Sequence, residues 1–463
     1  MTSTKDQSEI ENEIETFIAL PDEQIEVISN ALEDDKHHIV IEQISGLSSP
    51  DIAELIEKIS SDKRDKIIQL YSDNVPPDVF PEIDENIRKE ILESMPVQRV
   101  SALINELDSD DALDLVLNLE KPFRKDVIKN LSAKTRLTLE EGLNFPEDSA
   151  GRLMQREFVA IPQFWTVGKT VDYLRAASKE LPDEFFDIFV ITPTYHVVGE
   201  VPLSRLVKSK RDKKVENLVL DDLHIIPATM DQEELTHIFR REDISSAPVV
   251  DEDKRIIGVI TMDNIIDVID EEAQEDIMRL AGVEQSDLYS AVFSTTFMRF
   301  KWLSVNLITA ILASIVISLF DATIEQMVAI AVLMPIVASM GGNAGTQALT
   351  IAVRALATKE LSKTNSLRLI WKETIVGTLN GFAFALIIGI ISALWFDNQI
   401  LGAVIASAMI INMIVAGLFG ASIPIILNKI GSDPAISSTV FLTTVTDVIG
   451  FFAFLGLAAL FLI

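Results

Sequence analysis

The sequence predicts a multidomain membrane protein with four successive parts: an α-helical, solenoid-like N-terminal domain, a pair of small α/β units, a long connecting helix and a five-helix transmembrane domain. Three observations predict this architecture. The chain is 48% hydrophobic yet carries a net charge of −31, which indicates separate membrane and soluble parts. Its C-terminal part contains five apolar segments of membrane-spanning length. Its N-terminal part contains two internal repeats, with spacings of 48 and 59 residues.

Charge is divided unequally along the chain. Of the 70 acidic and 39 basic residues, only seven and eight lie from Phe297 onward, so the preceding part carries 32 more acidic than basic side chains. Such an acidic surface excludes nucleic acid as a partner, because phosphate contacts need basic side chains. It favours cations instead. The absence of cysteine excludes disulfides and thiolate metal sites.

Five apolar segments each reach the roughly 20 residues that a helix needs to cross the hydrocarbon core of a membrane. They cover residues 302–320, 326–357, 374–396, 401–427 and 435–463. Basic residues flank these segments on the same side as the N-terminal part, whereas the opposite loops contain acidic residues and no lysine or arginine. Because basic loops stay in the cytoplasm, we expect a cytoplasmic N-terminal part and a C-terminus outside the plasma membrane.

One acidic residue, Asp447, lies near the middle of the fifth segment. A charged carboxylate at that depth costs at least ~2.5 kcal/mol, and the membrane core contains no lysine or arginine to pair with it. The carboxyl group must therefore be protonated, hydrogen-bonded by threonines, or exposed to water and a cation. Thr443, Thr444 and Gly450 share its helical face. We interpret this face as part of an ion pathway.

The second segment carries another polar face, formed by Asn343, Gln347 and Thr350 at helical spacing. The glycines of the GGN sequence at 341–343 allow close backbone approach or local unwinding, which a membrane tolerates only at a cavity or against protein. Asn380 and Asn412 add one amide each from the third and fourth segments. Two interpretations of these amides stay open: helix–helix contacts or the lining of a pathway.

The available ligand types indicate which cation would use such a pathway. Carboxylate, amide and hydroxyl oxygens, without histidine or cysteine, favour Mg²⁺ or Ca²⁺. One carboxylate per chain is too few to dehydrate Mg²⁺. We therefore expect a homodimer in which two copies of Asp447 hold a hexahydrated ion through its water shell.

The first repeat lies in the predicted helical domain, residues 20–155. The stretch PDIAELIEKISSD at 50–62 overlays VQRVSALINELDSD at 97–110. The overlay matches Ile52 with Val100 and Ile56 with Ile104. Such duplication predicts a small helical solenoid.

The second repeat overlays VITPTYHVVGEVPLSRLV at 190–207 on VVDEDKRIIGVITMDNII at 249–266. Both copies have the strand–turn–strand–helix pattern of a CBS domain, and we place the two units at 156–215 and 216–270. The second copy ends its last strand with the sequence GVITMD. In related modules the Thr and Asp of this sequence hold a nucleotide ribose, and Thr261 and Asp263 match them here, whereas the first copy has Pro202 in place of the Thr. Two interpretations stay open: one ATP site, or a purely structural pair.

An acidic stretch, DVIDEEAQEDIMRLAG at 267–282, follows the second unit and leads into the predicted connecting helix, 271–298, and the transmembrane domain, 299–463. Its clustered carboxylates repel one another unless they are neutralised. An acidic run is usually a solvated face, but its position before an ion pathway favours cation binding. Residues 1–19 are predicted to form a disordered acidic tail.

These features together closely resemble the MgtE magnesium channels over nearly the whole chain. The shared motifs are SAGRLM (149–154), DQEE (231–234), PVVDEDKRIIGVIT (248–261), MPIVASMGGNAGTQALT (334–350), GSDPA (431–435) and TTVTDVIGFF (443–452). The resemblance implies a homodimeric, Mg²⁺-selective channel of the plasma membrane that mediates Mg²⁺ influx and has no enzymatic activity. It also implies that binding of intracellular Mg²⁺ to the N-terminal and CBS domains closes the channel.

The resemblance further implies that Asp447 is the pore carboxylate and that regulatory Mg²⁺ ions bind between domains. The candidate pore residues beside it are Asn343, Gln347, Thr443 and Thr444. By motif position, the implied regulatory ligands are Asp110, Asp114, Gly151, Glu233, Asp243, Asp267, Glu272, Glu275, Asp276 and Asp433. The chain departs from the family where Asp263 is followed by Asn264, since the family often has two aspartates there. We expect one interdomain Mg²⁺ site to be weaker or rebuilt.

Two other function classes compete with a channel. A coupled secondary carrier for Mg²⁺ or Co²⁺ is the alternative, but it needs a proton or sodium site beyond Asp447, and the sequence predicts no buried acid in the other spans. A CBS-regulated sensor without transport would leave Asp447 and the polar face of the second span unexplained. We expect Mg²⁺ as substrate and regulator, ATP as a further candidate ligand, and a second copy and membrane lipid as partners.

Overall fold

The computed structural model describes residues 19–71, 75–182, 184–283, 292–362 and 364–462. The chain divides into two compact units, Met1–Asp270 and Glu271–Ile463. Residues 1–18 of the predicted acidic tail and residues 284–291 of the predicted connecting helix lie outside the described residues.

The first unit begins with a series of short helices, most of them about ten residues long. Within the described residues these are α1 (Asp22–Glu33), α2 (His37–Ile44), α3 (Ser49–Lys58), α4 (Ser61–Tyr71), α5 (Val79–Glu82), α6 (Glu85–Ser94), α7 (Val97–Glu106), α8 (Ser109–Asn118), α9 (Lys121–Asn130), α10 (Ala133–Gly142) and α11 (Ala150–Leu153). Several of them end at a buried apolar residue in extended conformation, namely Ile59, Met95, Leu119 and Leu131. That side chain anchors the turn in the core, so a stack of short amphipathic helices results.

The 48-residue repeat is visible in this stack. Helices α3 and α7 begin 48 residues apart and are both ten residues long. The matched residues Ile52 and Val100 are both buried, as are Ile56 and Ile104. The repeat therefore reflects two equivalent helices that bury equivalent faces.

The remainder of the first unit contains two similar α/β units, as predicted. Their strands are β1 (Ala160–Pro162), β2 (Asp187–Ile191), β3 (Val197–Pro202), β4 (Ile226–Pro227), β5 (Ser246–Val250) and β6 (Ile256–Thr261), and their helices include α12 (Val167–Ala176), α13 (Leu203–Val207) and α14 (Gln232–Glu242). The sheets have the orders β1-β2-β3 and β4-β5-β6, each with one parallel and one antiparallel pair. Gly199 pairs with Val190 and Gly258 with Val249, so the register repeats with the 59-residue spacing.

The segment that connects the helical stack to the sheets is attached to the second α/β unit. Gln155 and Val259 exchange two backbone hydrogen bonds of 2.8 Å. Gly258 leaves room for this segment, because a Cβ there would lie 2.6 Å from Met154 Sδ. Residues 149–155, which we assigned to the end of the helical domain, thus pack on the following unit.

The helix α15 (Met262–Leu280) follows β6 directly, and its residues from Glu271 onward belong to the second unit. The other helices of this unit, within the described residues, are α16 (Val292–Ser318), α17 (Asp321–Gln326), α18 (Val328–Ala357), α19 (Ser366–Trp395), α20 (Gln399–Lys429) and α21 (Pro434–Phe461). Five of them, α16 and α18 to α21, are long and apolar enough to cross a membrane. The predicted five-helix transmembrane domain is confirmed.

The core of the second unit lies where α18, α20 and α21 meet. Helix α19 packs on α20 through glycines at close approach. A Cβ on Gly377 would lie 2.5 Å from the carbonyl oxygen of Met413, and a Cβ on Gly417 would collide with the carbonyl oxygen of Glu373. Small residues at such positions let two backbones approach each other within a membrane.

One sequence-based prediction about this unit is wrong. Helix α19 begins at Ser366 rather than at Thr374, so Glu373 lies within it, and that residue is only 6% exposed. From the sequence we expected the third apolar segment to begin after the charged pair Lys372–Glu373, and we expected no buried acid in the spans other than the fifth. The backbone carbonyl of Glu373 lies in the close α19–α20 contact at Gly417, and its side chain is buried as well.

Candidate ion pathway and cation-binding sites

Asp447 lies at the middle of α21 and is half-buried. The hydroxyls of Thr443 and Thr444 both donate to the carbonyl oxygen of Val440, at 3.1 and 2.7 Å, and so bond to their own helix. Among the described residues, no side chain hydrogen-bonds to or pairs with Asp447. Of the three states considered for this group, two therefore remain: a protonated carboxyl, or a carboxylate that faces water and a cation.

Helix α18 has an exposed polar face along its middle. Asn343, Gln347 and Thr350 are all exposed. The opposite face is small and apolar, and Gly345 on it lies directly under Leu442 of α21. Exposed amides at membrane depth are costly against hydrocarbon, so this face must border water or protein rather than lipid.

Asn412 of α20 joins the two helices that carry these groups. Its side chain is 0% exposed, and its Nδ2 donates to the carbonyl oxygen of Val337 in α18 at 2.8 Å. It lies against Gly341 of α18 and against Gly450 of α21, whose added Cβ would be 2.8 Å from Nδ2. Gly450 is one turn after Asp447. The buried amide thus determines how closely the polar face of α18 approaches the helix of Asp447.

Outside the spans, the acidic end of α15 and the start of α21 share one arginine. Arg279 forms ion pairs with Glu275 and with Asp433, which is also the N-cap of α21. Burial, followed by repulsion from Asp433 and Glu272, raises the pKa of Asp276 to about 6. These carboxylates are therefore close enough to repel one another, which fits a site for a hard divalent cation.

In the first unit, Asp110 lies in the first turn of α8 and is only 9% exposed. Its Oδ2 accepts a hydrogen bond from Asn264 Nδ2 at 2.8 Å. Burial raises the pKa of Asp110 to about 6. Burial and, next, the charge of Asp110 raise the pKa of the adjacent Asp111 to about 8. The first turn of α8 is therefore an acidic region that is only partly neutralised.

Asp114 is placed differently from Asp110, although it lies one turn further along α8. Its Oδ2 is 2.8 Å from the guanidinium of Arg88, a buried residue, so this carboxylate already has a cationic partner.

Glu82 and Asp267 form a further acidic contact of the first unit. Burial raises the pKa of Glu82, and the charge of Asp267 is the second cause. Burial and its neighbours on α15 also raise the pKa of Asp267. Glu82 of the helical stack and Asp267 of α15 are thus close enough for their carboxylates to repel each other.

The remaining predicted ligands of the first unit lie apart from one another. Glu233 is in the first turn of α14, and Asp243 is its C-cap, with a left-handed backbone of φ 54°. Ten residues of helix separate their backbones by about 15 Å, so they cannot bind the same ion within one chain. The N–H of Gly151 donates to the carbonyl oxygen of Ala228 at 2.8 Å.

The candidate nucleotide residues follow β6. The hydroxyl of Thr261 lies 2.9 Å from Oδ1 of Asn264, and Asp263 is in the first turn of α15. ATP binding through Thr261 and Asp263 stays a prediction. Within the described residues, no group of three or more His, Asp or Glu side chains has the arrangement of a metal site.

Three residues at these sites were not predicted as functional candidates from the sequence: Arg279, Arg88 and Glu82. Arg279 carried a usable signal, because it is the single basic residue of the acidic stretch 267–282. Arg88 and Glu82 carried none, because their partners Asp114 and Asp267 are distant in sequence. Asn412 was predicted either to make a helix–helix contact or to line a pathway, and its hydrogen bond to Val337 is a helix–helix contact.

Comparison with known proteins identifies the domains. Residues 334–457 match the MgtE family model, described as a divalent cation transporter. Residues 47–148 match the MgtE intracellular N domain, and residues 215–271 match the CBS domain. The three matches follow one another in the order of the parts described above.

Three curated relatives, each named magnesium transporter MgtE, resemble the chain over most of its length. The Bacillus subtilis protein is 29% identical over 90% of this chain and 93% of its own length. The Enterococcus faecalis protein is 31% identical over 70% of this chain and 71% of its own length. The Thermus thermophilus protein is 30% identical over 77% of this chain and 79% of its own length. This chain therefore belongs to the MgtE family of divalent cation transporters, which are membrane proteins and not enzymes.

Proposed function

We propose that this protein is a homodimeric Mg²⁺ channel of the plasma membrane, in which Asp447 binds the hydrated ion. The observation that carries the proposal is a carboxylate at the middle of α21, without a partner among the described side chains, in the same bundle as the exposed polar face of α18. The names of the three relatives support Mg²⁺ as the ion. The distribution of basic loops supports a cytoplasmic N-terminal part and a C-terminus outside.

A second copy explains how the polar face and the carboxylate are accommodated. One Asp447 cannot replace the water shell of Mg²⁺, because this ion dehydrates reluctantly. Two copies across a two-fold axis would supply two carboxylates, which attract a hydrated divalent ion without removing its water. Asn343 and Gln347 would then face the ion pathway, where their amides hydrogen-bond to water instead of lying against lipid.

Mg²⁺ uptake into proteoliposomes tests the role of Asp447. We expect Asp447→Asn to lower the Mg²⁺ uptake rate at least about tenfold, because the amide lacks the charge that attracts the ion. A tenfold change corresponds to ~1.4 kcal/mol. Asp397→Asn is the matched control, because Asp397 lies in a loop with a left-handed backbone (φ 48°) that asparagine also adopts. Uptake by Asp447→Asn at the rate of the control variant would contradict the proposal.

Single cysteines test the dimer, since the chain contains none of its own. We expect Gln347→Cys to form a disulfide-linked dimer on mild oxidation, because the proposal brings the two α18 faces together. Leu386→Cys on α19 is the control, since Leu386 is exposed on an apolar helix surface. Equal cross-linking of both variants, or of neither, would count against an interface at α18.

The acidic cytoplasmic groups support regulation by the transported ion. Without Mg²⁺, Asp276 is repelled by Asp433 and Glu272 in the second unit. Within the first unit, Glu82 and Asp267 repel each other. We propose that bound Mg²⁺ removes this repulsion, favours a compact cytoplasmic part and closes the channel, since a ligand shifts a conformational equilibrium by its differential affinity. We expect protease cleavage of this part to slow between zero and about 10 mM Mg²⁺. An unchanged cleavage rate would refute the regulatory proposal.

A coupled carrier is the second candidate, and Glu373 is the observation that favours it. This acid is buried within a membrane-spanning helix, and such residues mark ion or proton pathways in many transporters. The carrier would be supported if Mg²⁺ uptake requires a pH or sodium gradient and if Glu373→Gln removes this requirement. Uptake that follows the Mg²⁺ gradient alone would support the channel.

A further inference from the structure

The contact between Asp110 and Asn264 joins the helical stack to α15 within the first unit. Asp110 lies at the start of α8, and Asn264 lies in the first turn of α15, 154 residues later. The hydrogen bond from Nδ2 to Oδ2 is 2.8 Å long, and the carboxylate is nine-tenths buried. Hydrogen bonds to a buried charged group are among the stronger ones in proteins.

The orientation of the Asn264 amide follows from its other partner. Its Oδ1 accepts hydrogen bonds from the backbone N–H and the hydroxyl of Thr261, at 3.2 and 2.9 Å. A backbone N–H can only donate, so the amide oxygen must face Thr261 and the amide nitrogen must face Asp110. The group that meets the carboxylate is therefore a donor. A cation between the two side chains would need an oxygen there, so this pair does not fit a metal ligand set.

Neighbouring contacts at the start of α8 are also direct hydrogen bonds. The hydroxyl of Ser109 donates to Glu157 Oε2 at 2.7 Å and accepts from the backbone N–H of Arg156 at 2.7 Å. The guanidinium of Arg156 also lies 3.3 Å from Glu141 Oε2. These bonds connect the helical stack to the segment that adds to the sheet at Val259. The contacts of Ser109, Arg156 and Asp110 Oδ2 at this joint are thus made with protein groups, whereas Asp110 Oδ1 is buried without a hydrogen-bond partner among the described residues.

We propose that Asn264 replaces a cation at this joint, so that α8 docks on α15 independently of Mg²⁺. The proposal rests on the regulatory function proposed above and narrows where it acts. Mg²⁺ would then act at the other carboxylates that repel one another, namely Glu82 with Asp267, and Asp276 with its neighbours. Part of the cytoplasmic region stays assembled when the ion is removed.

Hydrogen exchange of the full-length protein in nanodiscs tests this inference. The peptides to follow cover α8 and the first turns of α15, in EDTA and in about 10 mM Mg²⁺. We expect equal protection of α8 in both conditions for the natural chain. In Asn264→Asp, two carboxylates face each other, so we expect exchange in α8 to be at least about tenfold faster in EDTA and slow again in Mg²⁺. In Asn264→Ala, exchange should be faster in both conditions.

Asn118→Asp is the matched control. Asn118 also donates to a carboxylate of α8, that of Asp114, but on the exposed surface. We expect this variant to behave like the natural chain. If protection of α8 in the natural chain rises with Mg²⁺, the inference is overturned, and this result needs no variant to fold. If no cytoplasmic peptide of the natural chain responds to Mg²⁺, the regulatory proposal fails instead.

Discussion

Replacing Gly341 by alanine tests how the membrane core is assembled. Gly341 lies under the amide of Asn412, and an added Cβ would collide with Nδ2. The amide cannot move away, because Gly450 of α21 closes its other side and Asn412 is fully buried. The substitution must therefore separate α18 from α20 or break the hydrogen bond from Asn412 to Val337.

The magnitude follows from these two effects. Inserting a methyl group into a filled core costs about 1–3 kcal/mol. Loss of an interhelical hydrogen bond in a membrane costs about 0.6 kcal/mol on average and up to ~1.7 kcal/mol. With both effects together, we expect Gly341→Ala to lower the free energy of unfolding of the transmembrane domain by about 2–5 kcal/mol.

Unfolding of the purified protein in mixed detergent–SDS micelles measures this change. Gly342→Ala is the matched control, since a Cβ on Gly342 would meet no atom within 4 Å. Its unfolding free energy should stay within about 1 kcal/mol of the natural chain. Removing the amide should relieve the collision, so Gly341→Ala combined with Asn412→Ala should be more stable than the sum of the two single changes predicts. Equal stability of Gly341→Ala and Gly342→Ala would refute the reasoning.

Two further predictions concern the α/β units. Glu200 is buried near Asp187, and its pKa is raised to about 7, first by burial and second by the charge of Asp187. Between pH 4.5 and 7 the folded chain therefore keeps the proton of Glu200 whereas the unfolded chain loses it, so the free energy of unfolding falls as the pH rises through this range. Glu200→Gln should therefore stabilise the unit by about 3 kcal/mol at pH 8 and by little at pH 4.5, as measured by thermal melts at both pH values. A stabilisation that does not depend on pH would contradict this assignment. Gly258→Ala should destabilise the second α/β unit by about 1–3 kcal/mol, because the added Cβ would collide with Met154. Gly46→Ala is the control and should have little effect, since its added Cβ would have its nearest neighbour at 3.8 Å. Similar melting temperatures of the two variants would show that the packing of segment 149–155 does not need Gly258.

Hydrophobic length and internal repetition allowed most of the fold to be predicted. The five spans are long apolar runs, and the α/β pair repeats its register glycines, Gly199 and Gly258. Both signals are local in sequence. The start of α19 was misplaced because the charged residues 372 and 373 look like a loop, whereas Glu373 lies within the helix, with its carbonyl against Gly417 of α20 and its side chain buried.

The partners of the candidate site residues could not be predicted in the same way. Asn264 meets Asp110, and Arg279 meets Asp433, each across 154 residues of sequence. Periodicity and composition contain no information about such pairings. Motif position identified the carboxylates, but only the fold shows which of them already face an amide or a guanidinium.

The central claim is that Asp447 binds Mg²⁺ with its water shell intact. Cobalt(III) hexammine tests it most directly, because this complex has nearly the shape of hexahydrated Mg²⁺ and cannot exchange its ligands. We expect it to inhibit Mg²⁺ uptake competitively in proteoliposomes and to lose its binding in Asp447→Asn, measured by calorimetry. Uptake that is insensitive to the complex, or equal binding to both proteins, would contradict the claim.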